Sequence, residues 1–177
     1  MKLLKNLLAG ILVIAVMFNI TSYKAAAEAA TEESDVAVVE GGENEASYSA
    51  NELKYMASII FCEAGNQSYA GKLAVGIVIK NRMESKSFPN SITGVIYQSG
   101  QFTPARNGML KSALSKYSKT GFKKGSAYKE CLKAAKASLS GKKSVCVGGK
   151  TKSMKGYHFF SRYVAGCRLK IGAHQFK

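Results

Sequence analysis

Residues 49–65, SANELKYMASIIFCEAG, and residues 67–83, QSYAGKLAVGIVIKNRM, decide the fold, because each carries a helix with a marked beginning. Ser49 followed three residues later by Glu52 is a capping box, and Leu53, Met56, Ala57, Ile60 and Ala64 then recur at helical spacing up to Gly65. The spacing predicts a first helix over about 50–64, roughly four turns. A second is predicted from Ser68 to about Met83, with Ala70, Leu73, Ala74, Ile77 and Val78 on one face. Its small residues Gly71, Ala74 and Gly76 let another helix or a sugar chain come close, although each glycine costs helix stability.

Downstream, Phe88-Pro89-Asn90 marks a turn, 92–98 a short helix, and 99–104 a loop. Residues 106–124 are basic and weakly patterned toward helix. Residues 126–140 place Ala127, Cys131, Ala134, Ala135 and Ser138 along one face with Gly141 beyond the end, a third clear helix. Residues 144–147, 157–161 and 168–176 have the β-branched and aromatic content of short strands separated by glycine. The expected class is α+β, helices first and a small antiparallel sheet last.

Upstream, Lys2 and Lys5 precede an apolar run from about Leu7 to Ile20, and Ala25, Ala26 and Ala27 follow it. This is the order of a secretory signal peptide. A bilayer span needs about 20 apolar residues, and this run is roughly 14 long with Asn19 inside it. It reads as a leader over 1–27, cut near Ala27 or Ala29. An uncleaved anchor is the other reading, and both put the remainder outside the cytoplasm. Residues 28–47 hold seven carboxylates and no Lys or Arg, the composition of a disordered spacer. Residues 48–177 are long enough for one domain with its own core.

That domain carries 23 Lys and Arg against four acids, Glu52, Glu63, Glu84 and Glu130, a formal +19. For an exported protein the polyanions at hand are cell-wall polymers, so anionic wall polymers are expected partners, bound less tightly as salt rises. Nucleic acid is not expected, since no zinc-finger spacing, RNP-type motif or heptad repeat accompanies the charge. The cysteines, Cys62, Cys131, Cys146 and Cys167, allow three pairings; Cys146–Cys167 is the first guess, with free thiols equally open. With only His158 and His174 available, and no Cys-x-x-Cys, neither a metal nor another cofactor is expected. A monomer is expected.

Glu63 stands out among the acids. It falls at the margin of the apolar stripe in the last turn of the first helix, where partial burial and the negative end of the helix dipole both raise a carboxyl pKa. A carboxyl protonated near neutral pH can protonate a departing glycosidic oxygen. On spacing alone such a Glu is more often a surface acid at a helix edge. The domain is nearly stripped of acids, however, and residues of the kind that hold sugars follow: Tyr69, Tyr97, Gln98, Gln101, Phe102 and Tyr157. Taken singly, each of these is more often packing than ligand contact.

Residues 63–69, Glu-Ala-Gly-Asn-Gln-Ser-Tyr, with Gly71-Lys72-Leu73-Ala74-Val75 and Asn81-Arg82, resemble the signature of the SleB/CwlJ cell-wall hydrolase family, which includes spore cortex-lytic enzymes. Residues 88–92, 95–98 and 100–104 (Gly-Gln-Phe-Thr-Pro) resemble its second block, and residues 171–176, Ile-Gly-Ala-His-Gln-Phe, its closing segment. The resemblance implies a fold similar to lysozyme and to resuscitation-promoting factors. It implies peptidoglycan as substrate, with Glu63 as general acid and Tyr97, Gln101, Phe102 and His174 as further site residues. Many members have Glu-Ala-Arg-Gly-Glu where this chain has Glu63-Ala64-Gly65-Asn66-Gln67, so a second acid is an amide here; Ala173 stands where Asn is usual.

A retaining or inverting glycosidase uses two carboxyls about 5 to 9.5 Å apart. Glu52 lies 11 residues before Glu63 on the same helix, about 16 Å along its axis, which is too far, while Glu84 and Glu130 stay open by sequence without a motif around either. Several members of the resembled family are lytic transglycosylases, which need one acid/base because the 6-hydroxyl of muramic acid attacks in place of water. The expected activity is therefore a lytic transglycosylase acting between N-acetylmuramic acid and N-acetylglucosamine, secreted to the wall, with spore cortex or coat as one setting. A muramidase and a non-catalytic wall-binding module are the alternatives.

Overall fold

The computed structural model of the protein describes residues 48–177; the expected leader (1–27) and acidic spacer (28–47) lie outside the described residues. Five α-helices come first: α1 Ala50–Ala64, α2 Tyr69–Met83, α3 Ile92–Tyr97, α4 Met109–Thr120 and α5 Ser126–Leu139, with a 3-10 turn at Thr103–Ala105. Five short strands follow: β1 Ser144–Val147, β2 Lys150–Ser153, β3 Phe160–Ser161, β4 Leu169–Ile171 and β5 His174–Phe176. No helix among the described residues is long and apolar enough to cross a membrane.

The capping box closes the start of α1 as expected: Ser49 Oγ accepts from the Glu52 amide at 3.1 Å, and Glu52 Oε2 accepts from the Ser49 amide at 2.8 Å. Met56, Ala57, Ile59, Ile60 and Ala64 are fully buried, and α1 packs against α2, α4 and α5. At the far end Gly65 stays right-handed (φ −55°) and donates to the Phe61 carbonyl. The chain can then turn within four residues into α2, whose start is capped by Ser68.

The second helix departs from its predicted single apolar face. Leu73, Val75, Ile77, Val78 and Ile79 are all buried, as are Lys72, Asn81 and Arg82, so α2 is enclosed nearly all round. A helix wrapped by neighbours has no solvent side to show in its sequence. Its small residues serve helix packing: a Cβ on Gly76 would meet Ser138 Oγ of α5 at 2.6 Å and Ile60 Cδ1 of α1 at 3.1 Å.

The polar residues closing α2 hold the rest of the chain in place. Asn81 Nδ2 donates to the carbonyls of Met154 (2.7 Å) and Tyr157 (2.9 Å), and Arg82 Nε donates to that of His158 (2.6 Å). Arg82 is buried with its guanidinium 5.2–5.6 Å from the rings of Phe88, Phe102 and Phe159, and burial pulls its pKa down to about 10.

These side chains explain why the strand expected over 157–161 is reduced to Phe160–Ser161. The carbonyls of Tyr157 and His158 are bound to α2 and cannot serve a sheet. The single strand expected over 168–176 is a hairpin, β4 and β5, folded back at Gly172-Ala173, with β3 on the other side of β5. A separate antiparallel hairpin joins β1 to β2 across Gly148-Gly149. Lys150–Ser153 is exposed on both faces, so β2 has no apolar alternation to announce it. The fold is thus helices followed by two small antiparallel sheets.

The guessed Cys146–Cys167 disulfide is absent. Cys146 is an exposed free thiol on β1 and Cys167 one in the loop before β4, Cys131 is buried on the inner face of α5, and Cys62 is half-buried on α1. Burial pushes the Cys131 thiol up to about 12, so it behaves as a small apolar group.

Asn81→Ala would strand two carbonyls in a buried setting. The expected cost is about 2–6 kcal/mol, read as a lower urea midpoint, because each orphaned acceptor costs about 1–3 kcal/mol. An unchanged midpoint would show that water reaches these carbonyls.

Candidate active site

A cavity of about 490 Å³ opens where the end of α1, the loop before α4, strand β3 and the β4–β5 hairpin converge. Its walls are mainly polar. Glu63 and Cys62 come from α1, Asn66 and Gln67 from the turn that follows, Gln101 and Thr103 from the loop, Ser161 and Arg162 from the end of β3, and Ala173 and His174 from the hairpin.

Glu63 is half-buried here, and burial holds its carboxyl above the ordinary carboxylate range. No hydrogen bond or ion pair to its carboxylate occurs among the described residues. The domain's remaining acids are engaged elsewhere. Glu52 caps α1, Glu130 is paired with Lys72 at 2.6 Å, and Glu84 is paired with Lys143. Among the described residues no second carboxylate lines the cavity. Cys62, the neighbour of Glu63, has its thiol pushed up to about 11 by burial and then by the Glu63 charge; it is protonated at neutral pH and is not a nucleophile there.

His174 faces the same space. Burial, and then the positive charge of Arg162, pull its pKa below the ordinary histidine value, so the ring is neutral at neutral pH. Its Nδ1 is buried without a hydrogen-bond partner among the described residues, and the ring is held edge-on to Phe160 at 5.5 Å and to Phe176 at 6.1 Å. A fixed, neutral imidazole on the cavity wall can hydrogen-bond a sugar substituent through the part of its ring that faces the cavity.

Gln67 sets this geometry. Its Oε1 accepts from the Ala173 amide at 3.1 Å and its Nε2 donates to Asn66 Oδ1 at 2.9 Å, tying the hairpin tip to the end of α1. Gly172 has a left-handed φ of +55°, and a Cβ there would lie 2.5 Å from Gln67 Oε1. Beneath this contact Lys72 Nζ donates to the Gln67 carbonyl at 2.6 Å, which fixes the turn from the inside.

Of the residues singled out in the sequence, the structure brings together Glu63, Gln101 and His174. The others line no part of this cavity. Phe102 is 2 % exposed and packs beneath Arg82 and Phe160, so its ring is core and the resemblance-based expectation for it is corrected. Tyr97 is 53 % exposed but leans on Tyr55 at 6.4 Å, and Gln98 follows it with Oε1 turned inward. Tyr157 is covered by Arg168, whose guanidinium lies 4.2 Å over the ring, and Tyr69 lines a different cavity. Neither residue type nor membership of a motif reports which way a side chain turns.

Cys62, Asn66, Gln67, Thr103, Ser161, Arg162 and Ala173 were not picked out as wall residues. Asn66, Gln67, Thr103 and Ala173 lie inside the quoted motifs, and reading each motif as a whole would have found them. Ser161 and Arg162 had no signal, since they arrive through the pairing of β3 with β5.

Comparisons with known proteins bear on the family and the fold. The model of a family described as cell wall hydrolase matches residues 66–177, a span that begins just after Glu63. The spore cortex-lytic enzyme of Bacillus cereus is 40% identical over 63 residues, covering 36% of this chain and 24% of that protein. That of Halalkalibacterium halodurans is 37% identical over 84 residues, 47% of this chain and 26% of that protein. The chain therefore spans about a quarter of the length of these relatives. Among solved structures, the catalytic domain of the germination-specific lytic transglycosylase SleB from Bacillus anthracis aligns with a TM-score of 0.52 at 25% identity, over 78% of this chain and 98% of that domain. The SleB catalytic domain of Bacillus cereus aligns at 0.53 and 24%, with the same coverage, and supports the fold.

The raised pKa of Glu63 has a signed effect on stability. A carboxyl whose folded-state pKa lies above its unfolded value contributes fully below the unfolded value, and that contribution is lost as pH rises through the folded one. Glu63→Gln is therefore expected to melt above the wild type at pH 7, with the gap closing as pH falls to about 4, where the wild-type carboxyl is protonated in both states. Thermal melts followed by circular dichroism at both pH values test this; a variant that melts lower at pH 7 would show that the carboxylate has a stabilising partner.

Proposed function

The chain belongs to the cell wall hydrolase family, and from that premise we propose that it is a lytic transglycosylase that cleaves peptidoglycan between N-acetylmuramic acid and N-acetylglucosamine, using Glu63 as its acid and base. The observation that carries this reading is the half-buried, unpaired carboxyl of Glu63 in a polar cavity where the described residues supply no second one. The similarity to a domain titled as a lytic transglycosylase supports the same choice.

The proposed chemistry balances within the glycan. Glu63 donates its proton to the oxygen linking muramic C1 to the next sugar, and the C1–O bond breaks with the electron pair leaving on that oxygen. The Glu63 carboxylate then takes the proton from the 6-hydroxyl of the same muramic residue as that oxygen bonds to C1. The products are a 1,6-anhydromuramic end and a free 4-hydroxyl, and Glu63 is protonated again. No water is consumed.

The polar wall suits the substrate. Neutral His174 and the side chains of Gln101, Thr103 and Ser161 can hydrogen-bond N-acetyl and hydroxyl groups, while Arg162 offers a cation to a lactyl or peptide carboxylate. Export to the wall is part of the proposal, supported by the order of charged, apolar and small residues over 1–27 and by the cationic surface. The role of 28–47 as a spacer belongs to it too.

Digestion of purified peptidoglycan with analysis of the fragments by mass spectrometry tests the reaction. The expected products are 1,6-anhydro ends, and Glu63→Gln is expected to release them about 10²–10⁴-fold more slowly. Reducing ends alone would make the enzyme a muramidase. For the wild type, kcat/KM is expected to fall as pH rises through the elevated Glu63 pKa, because only the protonated carboxyl can start the reaction.

A further inference from the structure

Two more cavities share no wall residue with the one around Glu63. The first, about 540 Å³, has Tyr69, Leu73, Val147 and Ile171 in its walls and Lys142 and Lys170 at its edge. The second, about 380 Å³, runs along α5 over Phe122 and Leu132, with Lys123, Lys129, Lys133 and Lys136 around it. They meet at Lys133, whose Nζ lies 5.2 Å over the ring of Tyr69.

Neither cavity has an acid in its walls, and none of these six lysines forms an ion pair among the described residues. Glu130, the acid within α5, is already held by Lys72. The result is a strip of positive charge over an apolar floor that no acid among the described residues compensates. On α5, Lys129, Lys133 and Lys136 are spaced by four and three residues, which stacks them on one side at intervals of about 6 and 4.5 Å.

We infer that this strip is an exosite for a linear phosphodiester polyanion of the cell wall, of the glycerol-phosphate type. Spacing and floor favour that class over the carboxylates of peptide stems. The lysines, point charges that bind phosphate without a planar fork, recur at intervals of about 6 and 4.5 Å along α5, which suits a polymer with regularly repeated anions. The apolar floor under the charges matches the short carbon linkers between successive phosphates.

The first cavity includes Gly172, and the adjoining Ala173 lines the Glu63 cavity, so a polymer on the strip would hold the enzyme beside the glycan. The assignment rests on the reading that the protein works at the wall, but not on the chemistry of Glu63.

The test uses the full chain carrying Glu63→Gln, which keeps cleavage out of the measurement, and a soluble poly(glycerol phosphate) titrated across a range of salt. Replacing Lys129, Lys133 and Lys136 with Gln is expected to weaken binding about tenfold at low salt and to flatten the log–log salt dependence by about 2, the share of three released counterions. Lys142→Gln with Lys170→Gln should weaken binding in the same direction.

A control that replaces Lys150, Lys152 and Lys155, exposed residues on and after β2, removes the same net charge and should bind nearly as the unsubstituted chain. Equal weakening in the control would reduce the effect to net charge and overturn the site. Undiminished binding in the α5 variant would do the same. Retention on sacculi stripped of phosphate polymer that still depends on the α5 lysines would assign the strip to peptide carboxylates instead. In the Glu63 wild-type background the α5 variant should cleave soluble glycan fragments at the unaltered rate, so the exosite and the catalytic reading fail separately.

Discussion

The arrangement depends on two polar side chains at the end of a buried helix. Asn81 and Arg82 take up three carbonyls of residues 154–158 in a setting that admits little water, and three aromatic rings close around the guanidinium. A buried cation without such partners would be very costly, so the contacts are obligatory once α2 is enclosed. They fix where the chain leaves the helical part. That in turn sets where β3 pairs with β5 and where Ser161 and Arg162 emerge.

A second constraint acts at the opposite end of the same helix. Lys72, buried beside the start of α2, binds both Glu130 of α5 and the backbone of Gln67, and Gln67 binds the tip of the β4–β5 hairpin. The chain has an amide here where the resembled family often has a carboxylate. The amide offers a donor and an acceptor, and both are used, toward Asn66 and toward Ala173. A position that invites a catalytic interpretation in the sequence is thus a brace that holds His174 across from Glu63.

Charge is distributed with economy in this domain. Of four acids, one caps a helix and two are paired with lysines, which leaves a single carboxyl without a partner, in the cavity where its pKa is raised. The lysines are in large excess, so most have no acid to pair with and project as a field that favours anionic surfaces. The unpaired carboxyl and the lysine strip are physically separate, since the cavities along α5 and the hairpins share no residue with the Glu63 cavity.

Local signals were enough for the helices. The capping box at Ser49 and Glu52, the serine caps and the apolar spacing act within a few residues, so α1, α2 and α5 begin and end where their sequences say. The half-buried setting of Glu63 was legible for the same reason, because its place in the last turn of α1, at the margin of the apolar stripe, is a property of the chain alone. Direction in space was not legible. Phe102 and Gln101 are neighbours in one motif, yet the ring turns into the core under Arg82 while the amide faces the cavity. The strands carried little local information: β2 is exposed on both faces, and β3 is shortened by side chains more than 70 residues away in sequence. What the amino-acid order determined by itself was the set of helices and the one carboxyl worth noticing. Tertiary structure alone decided which polar groups surround it, because that depends on hydrogen bonds between distant segments and on which side of each residue the packed core occupies.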